Sequence, residues 1–389
     1  MKAETFIYVG TYTEPIRFGT GKILEGKGQG IYRYRLDRSS GAMELIATTT
    51  GVVNPSFLAF DPTRRFLYAV NELKTWQGRP TGTVSAFAID PASGALEFLN
   101  KQMTHGTDPC HVEVARDGRH VFIANFMSGS VCVLPVRADG SLAPASDFIQ
   151  HQGSSIDPNR QRGPHAHSVI FDPGEHFAFI PDLGLDKLAA YVFDPTRGKL
   201  ERHERPWFKA TPGAGPRHLA FRPDGRFAYL INELDSSLTA LAYDGVNGCF
   251  RELQILPTLP EDFNGESTCA DVHVSTNGRF VYASNRGHDS IVIYRVDGAS
   301  GLLSLVGHAS TQGRTPRNFA LDPEGTFLLA ANQDSDTIVT FRIDQKSGAL
   351  EPTGHVTTVP TPVCVKFFEQ GKSTHDGWWN KCGIRERSP

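Results

Sequence analysis

Nine side chains between residues 165 and 317 have the chemistry expected of an acid–base and anion-binding site. They are His165, His167, Arg217, His218, Glu233, Asp271, His273, Arg286 and Arg317. An imidazole titrates close to neutral pH and can therefore act as a general base. A guanidinium group binds phosphate or carboxylate through two parallel hydrogen bonds, and positive charge also stabilises a developing oxyanion. The combination favours a site for an anionic substrate.

The segment His165-Ala166-His167 is also compatible with a metal site, but two imidazoles would need further ligands. The six cysteines, at positions 110, 132, 249, 269, 364 and 382, show no paired metal-ligand spacing. Reduced thiols are the better interpretation of these cysteines. We therefore predict no metal and no cofactor.

A repeated turn reveals the elements that must position these side chains. In each copy a glycine precedes an apolar residue and follows an Asp or Ser. The glycines are Gly41, Gly94, Gly140, Gly198, Gly248, Gly301 and Gly348. A period near 50 residues in a chain rich in Val, Ile, Thr, Phe and Tyr indicates a propeller, a solenoid or another array of β-units.

One copy of the repeat contains four candidate strands. They are Ser56–Phe60, Phe66–Asn71, Thr83–Asp90 and Leu96–Lys101, with the Gly94 turn before the last. Four antiparallel strands per repeat are typical of a propeller blade. We therefore predict an all-β fold, a seven-bladed β-propeller.

The two ends of the chain carry complementary strand types. Thr5–Thr11 resembles a second strand with no first strand before it, and Val363–Phe367 resembles a first strand with no second strand after it. Pairing them would build the seventh blade and remove two exposed sheet edges. We expect a single propeller domain over residues 1–368, followed by a tail over residues 369–389 that includes Trp378 and Trp379 and has no assigned role.

Alignment of the copies separates structural positions from candidate site positions. One polar column closes each second strand and suits a turn or capping device: Thr11, Asn71, Asn125, Asp182, Asn232, Asn285 and Asn332. Two further columns vary between blades. The first strands open with Ser56, Cys110, His167, Arg217, Ala270, Arg317 and Val363, and the polar column is followed by Tyr12, Glu72, Phe126, Leu183, Glu233, Arg286 and Gln333.

These variable columns should share one rim of the propeller with the longest insertions. The insertions are Glu14–Gly28, Lys74–Gly82, Gln150–Pro164 and Pro260–Thr268. Long loops crowded on one face of a rigid scaffold usually build a binding site. The sequence therefore predicts that the nine candidate residues lie together on this rim.

Composition limits the possible partners and location. The net charge is −3, which argues against a general nucleic-acid binder. No apolar signal segment and no run of 18 apolar residues is present, so we expect a cytoplasmic protein without membrane contacts. The sequence does not indicate an oligomeric state.

Several short segments resemble those of a known family, the seven-bladed lactonases, which includes 6-phosphogluconolactonases and carboxymuconate lactonizing enzymes. The segments are Gly163–Ser168, Gly215–His218, Asn232–Ser237, Ala270–His273, Asn277–Arg279, Ser284–Arg286 and Thr315–Arg317. The resemblance extends over residues 5–368. It implies hydrolysis of a small anionic lactone, most simply 6-phosphogluconolactone.

The resemblance also implies roles for individual residues. The functional His, Arg and Glu of the family match His167, Arg217 and Glu233, and the later Arg matches Arg286, with Arg317 as the alternative. The remaining candidates are then expected to bind substrate: His165, His218, Asp271, His273 and Arg317. Lactone hydrolysis needs an activated water and positive charge at the carbonyl oxygen. Either His167 is the base, oriented by Glu233, or Glu233 is the base and His167 protonates the ring oxygen.

Three other functions remain open at this point. A cycloisomerase acting on a carboxylated muconate would need the same groups. A non-catalytic interaction propeller would be expected to have an apolar or aromatic rim, which this chain lacks. A calcium-dependent gluconolactonase is disfavoured because the Asn column recurs around the ring.

Overall fold

The computed structural model of the protein describes residues 4–370, which form almost entirely β-structure. In chain order the first strands are β1 (Thr5–Thr11), β2 (Ile16–Arg17), β3 (Ile23–Leu24), β4 (Gly30–Leu36), β5 (Met43–Thr50), β6 (Leu58–Phe60), β7 (Phe66–Asn71), β8 (Thr83–Ile89), β9 (Leu96–Met103), β10 (Pro109–Val114), β11 (His120–Asn125), β12 (Ser130–Pro135), β13 (Asp147–Gln150), β14 (Ile170–Phe171) and β15 (Phe177–Asp182). The remaining strands are β16 (Lys187–Asp194), β17 (Lys199–Lys209), β18 (Pro216–Phe221), β19 (Phe227–Asn232), β20 (Ser237–Asp244), β21 (Cys249–Pro257), β22 (Thr268–Val274), β23 (Phe280–Arg286), β24 (Ser290–Val296), β25 (Leu303–Ser310), β26 (Pro316–Leu321), β27 (Phe327–Asn332), β28 (Thr337–Ile343), β29 (Leu350–Thr358) and β30 (Pro362–Glu369). One 3₁₀ turn spans Gln333–Ser335.

Seven four-stranded antiparallel sheets form the blades of a propeller, as predicted. Blades 1 to 6 each use four consecutive strands, beginning at β6, β10, β14, β18, β22 and β26. The first strand of every blade lies innermost, and the strands β2 and β3 form a small separate hairpin in the loop after β1. No helix within residues 4–370 is long and apolar enough to cross a bilayer.

Blade 7 is built from both ends of the described chain, in the order β30, β1, β4 and β5. The pairing of β1 with β30 aligns Val9 with Val365 and Thr5 with Glu369. This confirms the predicted closure of the ring. Of the tail proposed for residues 369–389, residues 371–389 lie outside the described part of the chain. These residues include Trp378 and Trp379.

The apolar column of the inner strands packs between neighbouring blades. Its members are all at most 4 % exposed: Leu58, Val112, Val169, Leu219, Val272, Phe319 and Val365. The column two residues later is less completely buried, as Phe60 and Phe171 show. Alternation along a strand places one set of side chains against the next blade, and burial of each large apolar side chain stabilises the fold by roughly 1.5–3 kcal/mol.

The repeated glycine turns join each blade to its predecessor. All seven glycines have positive φ, as at Gly140 with φ +84°. A Cβ atom at Gly140 would lie 2.2 Å from the ring of Phe66 in the preceding blade. The hydroxyl of Tyr68 also donates to the carbonyl of Gly140 at 3.0 Å. The turns therefore require glycine both for backbone conformation and for contact between blades.

The polar column at the ends of the second strands has the predicted structural role. Asn285 is fully buried, and its amide donates to the carbonyl of Thr258 at 2.8 Å and to the hydroxyl of Ser290 at 3.2 Å. Such bonds satisfy backbone groups where the chain leaves the sheet.

The predicted bounds of the first strand in blade 1 were wrong by two residues. The ladder begins at Leu58 and not at Ser56. The N–H group of Ser56 donates to the carbonyl of Asn54 at 2.7 Å, within a local turn, so it is not free to join the ladder.

Candidate active site

A cavity of about 320 Å³ opens on one rim of the propeller. The loops after β1, after β13 and before β22 supply Arg17, Phe18, Lys22, Arg160, Glu266 and Ser267. The strand ends supply Glu72, Cys110, His167, Glu233, Arg286 and Arg317. Three of the four long insertions therefore line this cavity, as the rim prediction required, whereas the insertion at 74–82 does not.

Backbone hydrogen bonds fix the two residues expected to perform acid–base chemistry. The N–H of His167 donates to the carbonyl of Pro181 at 3.0 Å, just ahead of the inner strand of blade 3. The N–H of Glu233 donates to the carbonyl of Gly215 at 2.7 Å, immediately after β19. Both side chains consequently reach the same cavity from adjacent blades.

Glu233 is the centre of a buried cluster of three guanidinium groups. Its Oε1 atom accepts from Nη2 of Arg160 at 2.7 Å. Its Oε2 atom accepts from Nε of Arg217 at 2.8 Å and lies 3.0 Å from Nη2 of Arg286. Burial alone would raise the pKa of this carboxyl, but Arg286, Arg160 and Arg217 hold the pKa well below its usual range. Glu233 is therefore ionised and a weak base.

His167 is buried and carries no charge at neutral pH. Burial, followed by the positive charge of Arg217, pushes the pKa of this imidazole well below its usual value. The ring nitrogen Nδ1 lies 3.8 Å from the thiol sulfur of Cys110. No hydrogen bond joins His167 to Glu233 in the described part of the chain, because the guanidinium groups occupy the carboxylate. A neutral imidazole can accept a proton, and no carboxylate among the described residues forms a hydrogen bond that would orient it.

Arg317 presents a guanidinium group to the cavity. It lies over the rings of Tyr12 and Phe18, with its central carbon 5.7 Å and 5.4 Å from the ring centroids. No residue between 4 and 370 accepts a hydrogen bond from its N–H groups, and the side chain lines the cavity wall. The buried Nε atom of Arg286 also has no partner there. The Arg317 donors are therefore available to an anionic ligand, whereas the Nε atom of Arg286 is shielded from the cavity.

Other predicted site residues lie below the cavity and not on the rim, which corrects the single-rim expectation. Arg217 and His218 border a smaller cavity of about 10 Å³, large enough for about one water molecule. Deeper still, Nδ1 of His218 lies 2.8 Å from Oδ1 of Asp271, and Nε2 of His273 lies 3.1 Å from Oδ2 of the same carboxylate. The strand rises about 3.3 Å per residue, so successive positions descend along the channel.

His165 does not line either cavity. Its ring stacks on Phe126 with centroids 4.7 Å apart, and Nδ1 lies 3.0 Å from the carbonyl oxygen of Phe126. Within residues 4–370 no group of three or more His, Cys, Asp or Glu side chains has the geometry to hold a metal. His165 therefore supports the aromatic wall of the cavity.

Two functional candidates were missed at the sequence level. Arg160 lies in the irregular loop after β13, where no periodic signal identifies a residue that will reach Glu233. Glu72 occupies the same variable column as Glu233 and lines the same cavity. The repeated tripeptide Asn-Glu-Leu, at 71–73 and 232–234, was the available signal.

Comparison with known proteins agrees with this fold. The profile of the family described as lactonase, 7-bladed beta-propeller, matches residues 6–367. The chain is similar to the 6-phosphogluconolactonase of Bacillus subtilis, with 39% identity, covering 93% of this chain and 98% of the relative. It is also similar to a 6-phosphogluconolactonase of Formosa agariphila, with 34% identity over 82% of this chain and 86% of the relative.

A solved structure extends the comparison to three dimensions. The periplasmic gluconolactonase of Pseudomonas aeruginosa has 38% identity and a TM-score of 0.86, covering 94% of this chain and 99% of that chain. The profile match over residues 6–367 extends over all seven blades. The chain belongs to the family of seven-bladed β-propeller lactonases.

Proposed function

We propose that the protein hydrolyses 6-phosphogluconolactone to 6-phosphogluconate. One observation carries this proposal: a neutral buried imidazole and unpartnered guanidinium N–H groups line the same cavity. A neutral base and positive charge are the two requirements for attack of water on the carbonyl of an anionic lactone. The names of the relatives from Bacillus subtilis and Formosa agariphila support the phosphorylated substrate.

In the proposed reaction His167 takes a proton from the attacking water. Arg286, whose guanidinium group lines the cavity, stabilises the oxyanion that forms on the carbonyl oxygen. Arg317 binds the distal anionic group of the substrate, where its planar fork suits a phosphate. Arg160 and Arg217 complete the charge cluster around Glu233.

Glu233 acts in this scheme as the group that positions the arginines. Four guanidinium groups, three of them around Glu233, would repel one another in the absence of a counter-charge, and the carboxylate offsets that repulsion. The network below the cavity, formed by His218, Asp271 and His273, supports the inner strands beneath the substrate. His165 supports the wall through Phe126.

Substrate charge should increase the basicity of His167. The nearby guanidinium groups depress its pKa in the free protein. An anionic ligand that neutralises those groups removes part of the repulsion, so the imidazole accepts a proton more readily in the complex. Binding and activation of the base are therefore coupled through charge.

Unphosphorylated gluconolactone is the second candidate substrate. The structural relative from Pseudomonas aeruginosa is a periplasmic gluconolactonase, and its identity to this chain is close to that of the Bacillus subtilis relative. Both substrates would use the same carbonyl chemistry, and they differ only in the distal anionic group.

The deciding experiment is hydrolysis of matched lactones by the purified protein. We expect 6-phosphogluconolactone to be turned over with a higher kcat/KM than gluconolactone, with a chelator leaving the rate unchanged. Spontaneous hydrolysis is subtracted from every rate. A preference for gluconolactone would replace the phosphorylated substrate, and absence of any lactone hydrolysis would reject the proposal. Loss of activity with chelator would establish a metal requirement.

A further inference from the structure

The tripeptide Asn-Glu-Leu occurs in two blades and places a carboxyl group from each in the same cavity. Asn71-Glu72-Leu73 begins at the last residue of the second strand of blade 1, and Asn232-Glu233-Leu234 begins at the last residue of the second strand of blade 4. Glu72 and Glu233 are 6 % and 5 % exposed, and both line the cavity of about 320 Å³. The same sequence element therefore supplies two carboxyl groups to one site.

The surroundings of the two carboxyl groups differ in charge. Glu233 lies within 3.0 Å of three guanidinium groups. Glu72 makes no ion pair with any described residue, and Oε2 accepts a hydrogen bond from the hydroxyl of Tyr12 at 3.0 Å. The backbone around Glu72 is fixed, since its N–H donates to the carbonyl of Asn54 at 3.1 Å and the side-chain amide of Asn54 returns a bond at 3.3 Å.

Groups from several elements face the Glu72 carboxyl. They are Tyr12 after β1, Ser56 before β6, Asp108 and Cys110 at the start of β10, and Arg317 at the start of β26. Burial raises the pKa of this carboxyl and Asp108 adds to the increase, while Arg317, Ser56 and Tyr12 oppose it without reversing it. Two carboxyl groups whose environments move their pKa values in opposite directions are suited to different steps of one reaction.

We propose that Glu72 is the acid that protonates the ring oxygen when the lactone opens. This inference rests on the proposed lactone hydrolysis and assigns a step that the groups above leave open. His167 is neutral at the start and becomes protonated when it takes a proton from water, so it competes with Glu72 as donor to the ring oxygen, and the loss of activity in Glu72→Gln decides between them. The phenol of Tyr12 is a poorer donor, because burial raises its pKa well above the usual value.

The proposed step balances in atoms and charge. The oxygen of water bonds to the lactone carbonyl carbon, and one of its protons moves to His167. The bond between that carbon and the ring oxygen then breaks, and its electron pair stays on the ring oxygen. The ring oxygen takes the proton of Glu72. The new carboxylic acid ionises, and the imidazolium returns its proton to Glu72, so one proton is released to solvent in each turnover.

The test compares substrates that do and do not need a protonated leaving group. A sugar alkoxide leaves slowly without a proton, whereas p-nitrophenolate leaves unaided. Glu72→Gln should therefore lose about a hundredfold or more in kcat on the lactone, the scale of a lost proton-transfer group. Its activity on p-nitrophenyl acetate should stay within about threefold of wild type, because the step that needs the acid is absent.

The ratio of the two activities is the decisive quantity. Both rates come from one preparation, so a reduced folded fraction cancels in the ratio. Glu233→Gln is the matched control, since it changes the same tripeptide in the other blade. It should lower both activities together, because the arginines that it disturbs act on the carbonyl of either ester. Equal losses on both substrates in Glu72→Gln, or lactone turnover like wild type, would overturn the assignment.

A pH profile gives an independent result even if the aryl ester is a poor substrate. Wild-type kcat on the lactone should fall on the alkaline side as Glu72 loses its proton, and Glu72→Gln should lack that alkaline limb. An unchanged limb in the variant would contradict the proposal. Wild-type activity is measured first. If the wild type hydrolyses no lactone, the proposed function fails. If the wild type is active and Glu72→Gln behaves like it, only this inference is rejected.

Discussion

Charge compensation around one carboxylate organises the candidate site. Glu233 accepts bonds from guanidinium groups that arrive from a loop and from two blades. Removing one partner from a buried cluster of this kind destabilises the protein, because the remaining buried charge is left unpaired. The arginines that do not exhaust their donors on Glu233 are the ones left for substrate, and Arg317 is the clearest case.

Substitution of Arg317 tests the recognition of the distal anion. We expect Arg317→Ala to lower kcat/KM for 6-phosphogluconolactone. The loss should correspond to roughly 1.5–3 kcal/mol of transition-state free energy, the cost of losing hydrogen bonds to a charged group. The loss for gluconolactone should be smaller, because that substrate lacks the phosphate. Steady-state kinetics on both substrates measure the difference.

Arg314→Ala provides the control for that variant. Arg314 lies on the same rim but borders the neighbouring groove, and its Nη2 donates to the carbonyl of Asp334 at 3.2 Å. It should change neither substrate preference nor kcat/KM by more than about threefold, as for an exposed charge. An equal loss on both substrates in Arg317→Ala would place that guanidinium at the carbonyl and not at the phosphate.

The pH dependence should report the depressed pKa of His167. In the free enzyme the imidazole stays neutral below its ordinary value of 6.5, so kcat/KM should hold its plateau below pH 6.5 and fall only at more acidic pH. Bound anion raises the pKa of His167, so the acid limb of kcat should lie at higher pH than that of kcat/KM. Stopped-time assays across pH 4–8 at constant ionic strength resolve both limbs.

Gluconolactone is the appropriate substrate for the kcat/KM limb, because a phosphate ester itself titrates near pH 6. The shift of the kcat limb is measured with 6-phosphogluconolactone, because only that substrate brings an anion into the cavity. His167→Gln serves as the reference and should lack the limb, with turnover reduced about a hundredfold. A limb in kcat/KM at or above pH 6.5 would contradict the assigned environment of His167.

Residue types and strand register identified part of this site from sequence alone. His167 and Arg317 lie at or just ahead of the starts of inner strands, and Glu233 and Arg286 lie at or just after the ends of second strands, so their convergence follows from the repeat. Arg160 could not be found in that way, because a non-repeating loop of 150–164 decides where its side chain lies. Glu72 had the right position in the column, but its role depends on burial without a direct ion pair, which only the packed structure reveals.

At the level of elements, the glycine turns carry the contact between blades. Gly140→Ala should destabilise the protein by about 1–2 kcal/mol for the positive φ. A further cost of about 1–3 kcal/mol should come from the collision with Phe66. Urea-induced unfolding monitored by circular dichroism gives the difference from wild type.

Gly51 offers a matched comparison for that turn. It has φ +77°, and an added Cβ would meet nothing within 4 Å. Gly51→Ala should therefore show only the backbone cost. If the two variants unfold at the same urea concentration, the glycine turns contribute no packing between blades. The positive φ angle alone would then explain why glycine recurs at each turn.

The repeated turn and the strand types were sufficient to predict seven blades and the closure by both chain ends. The period could be seen because every blade uses the same contact between a turn glycine and the start of a second strand, as in Gly140 and Phe66. Strand ends were less predictable. The start of β6 depends on a local bond between Ser56 and Asn54 that has no counterpart in the apolar pattern.

At the scale of the whole molecule, one strand closes the ring. A chain ending at Thr361 lacks β30, which buries Val363, Cys364, Val365 and Phe368 at 4 % exposure or less. Each such side chain contributes roughly 1.5–3 kcal/mol, and the total stability of a domain is only about 5–15 kcal/mol. We expect this truncation to lower the melting temperature sharply or to prevent folding.

A chain ending at Gln370 is the control, since it retains every paired strand of the described structure. It should melt close to the full-length protein in differential scanning calorimetry. A truncation at Thr361 that melts like the control would show that blade 7 does not depend on β30.

The same closure sets an order of events during synthesis on the ribosome. The pairing of Thr5 with Glu369 joins positions roughly 360 residues apart, which costs about 2 kcal/mol more chain entropy than a contact across about 50 residues. At about 5–20 residues per second, β1 emerges roughly 20–70 s before its partner. Throughout that interval its open backbone edge can pair with another nascent chain. Aggregation during expression should therefore depend on translation speed through the last blade, a property of the growing polypeptide that the finished ring conceals.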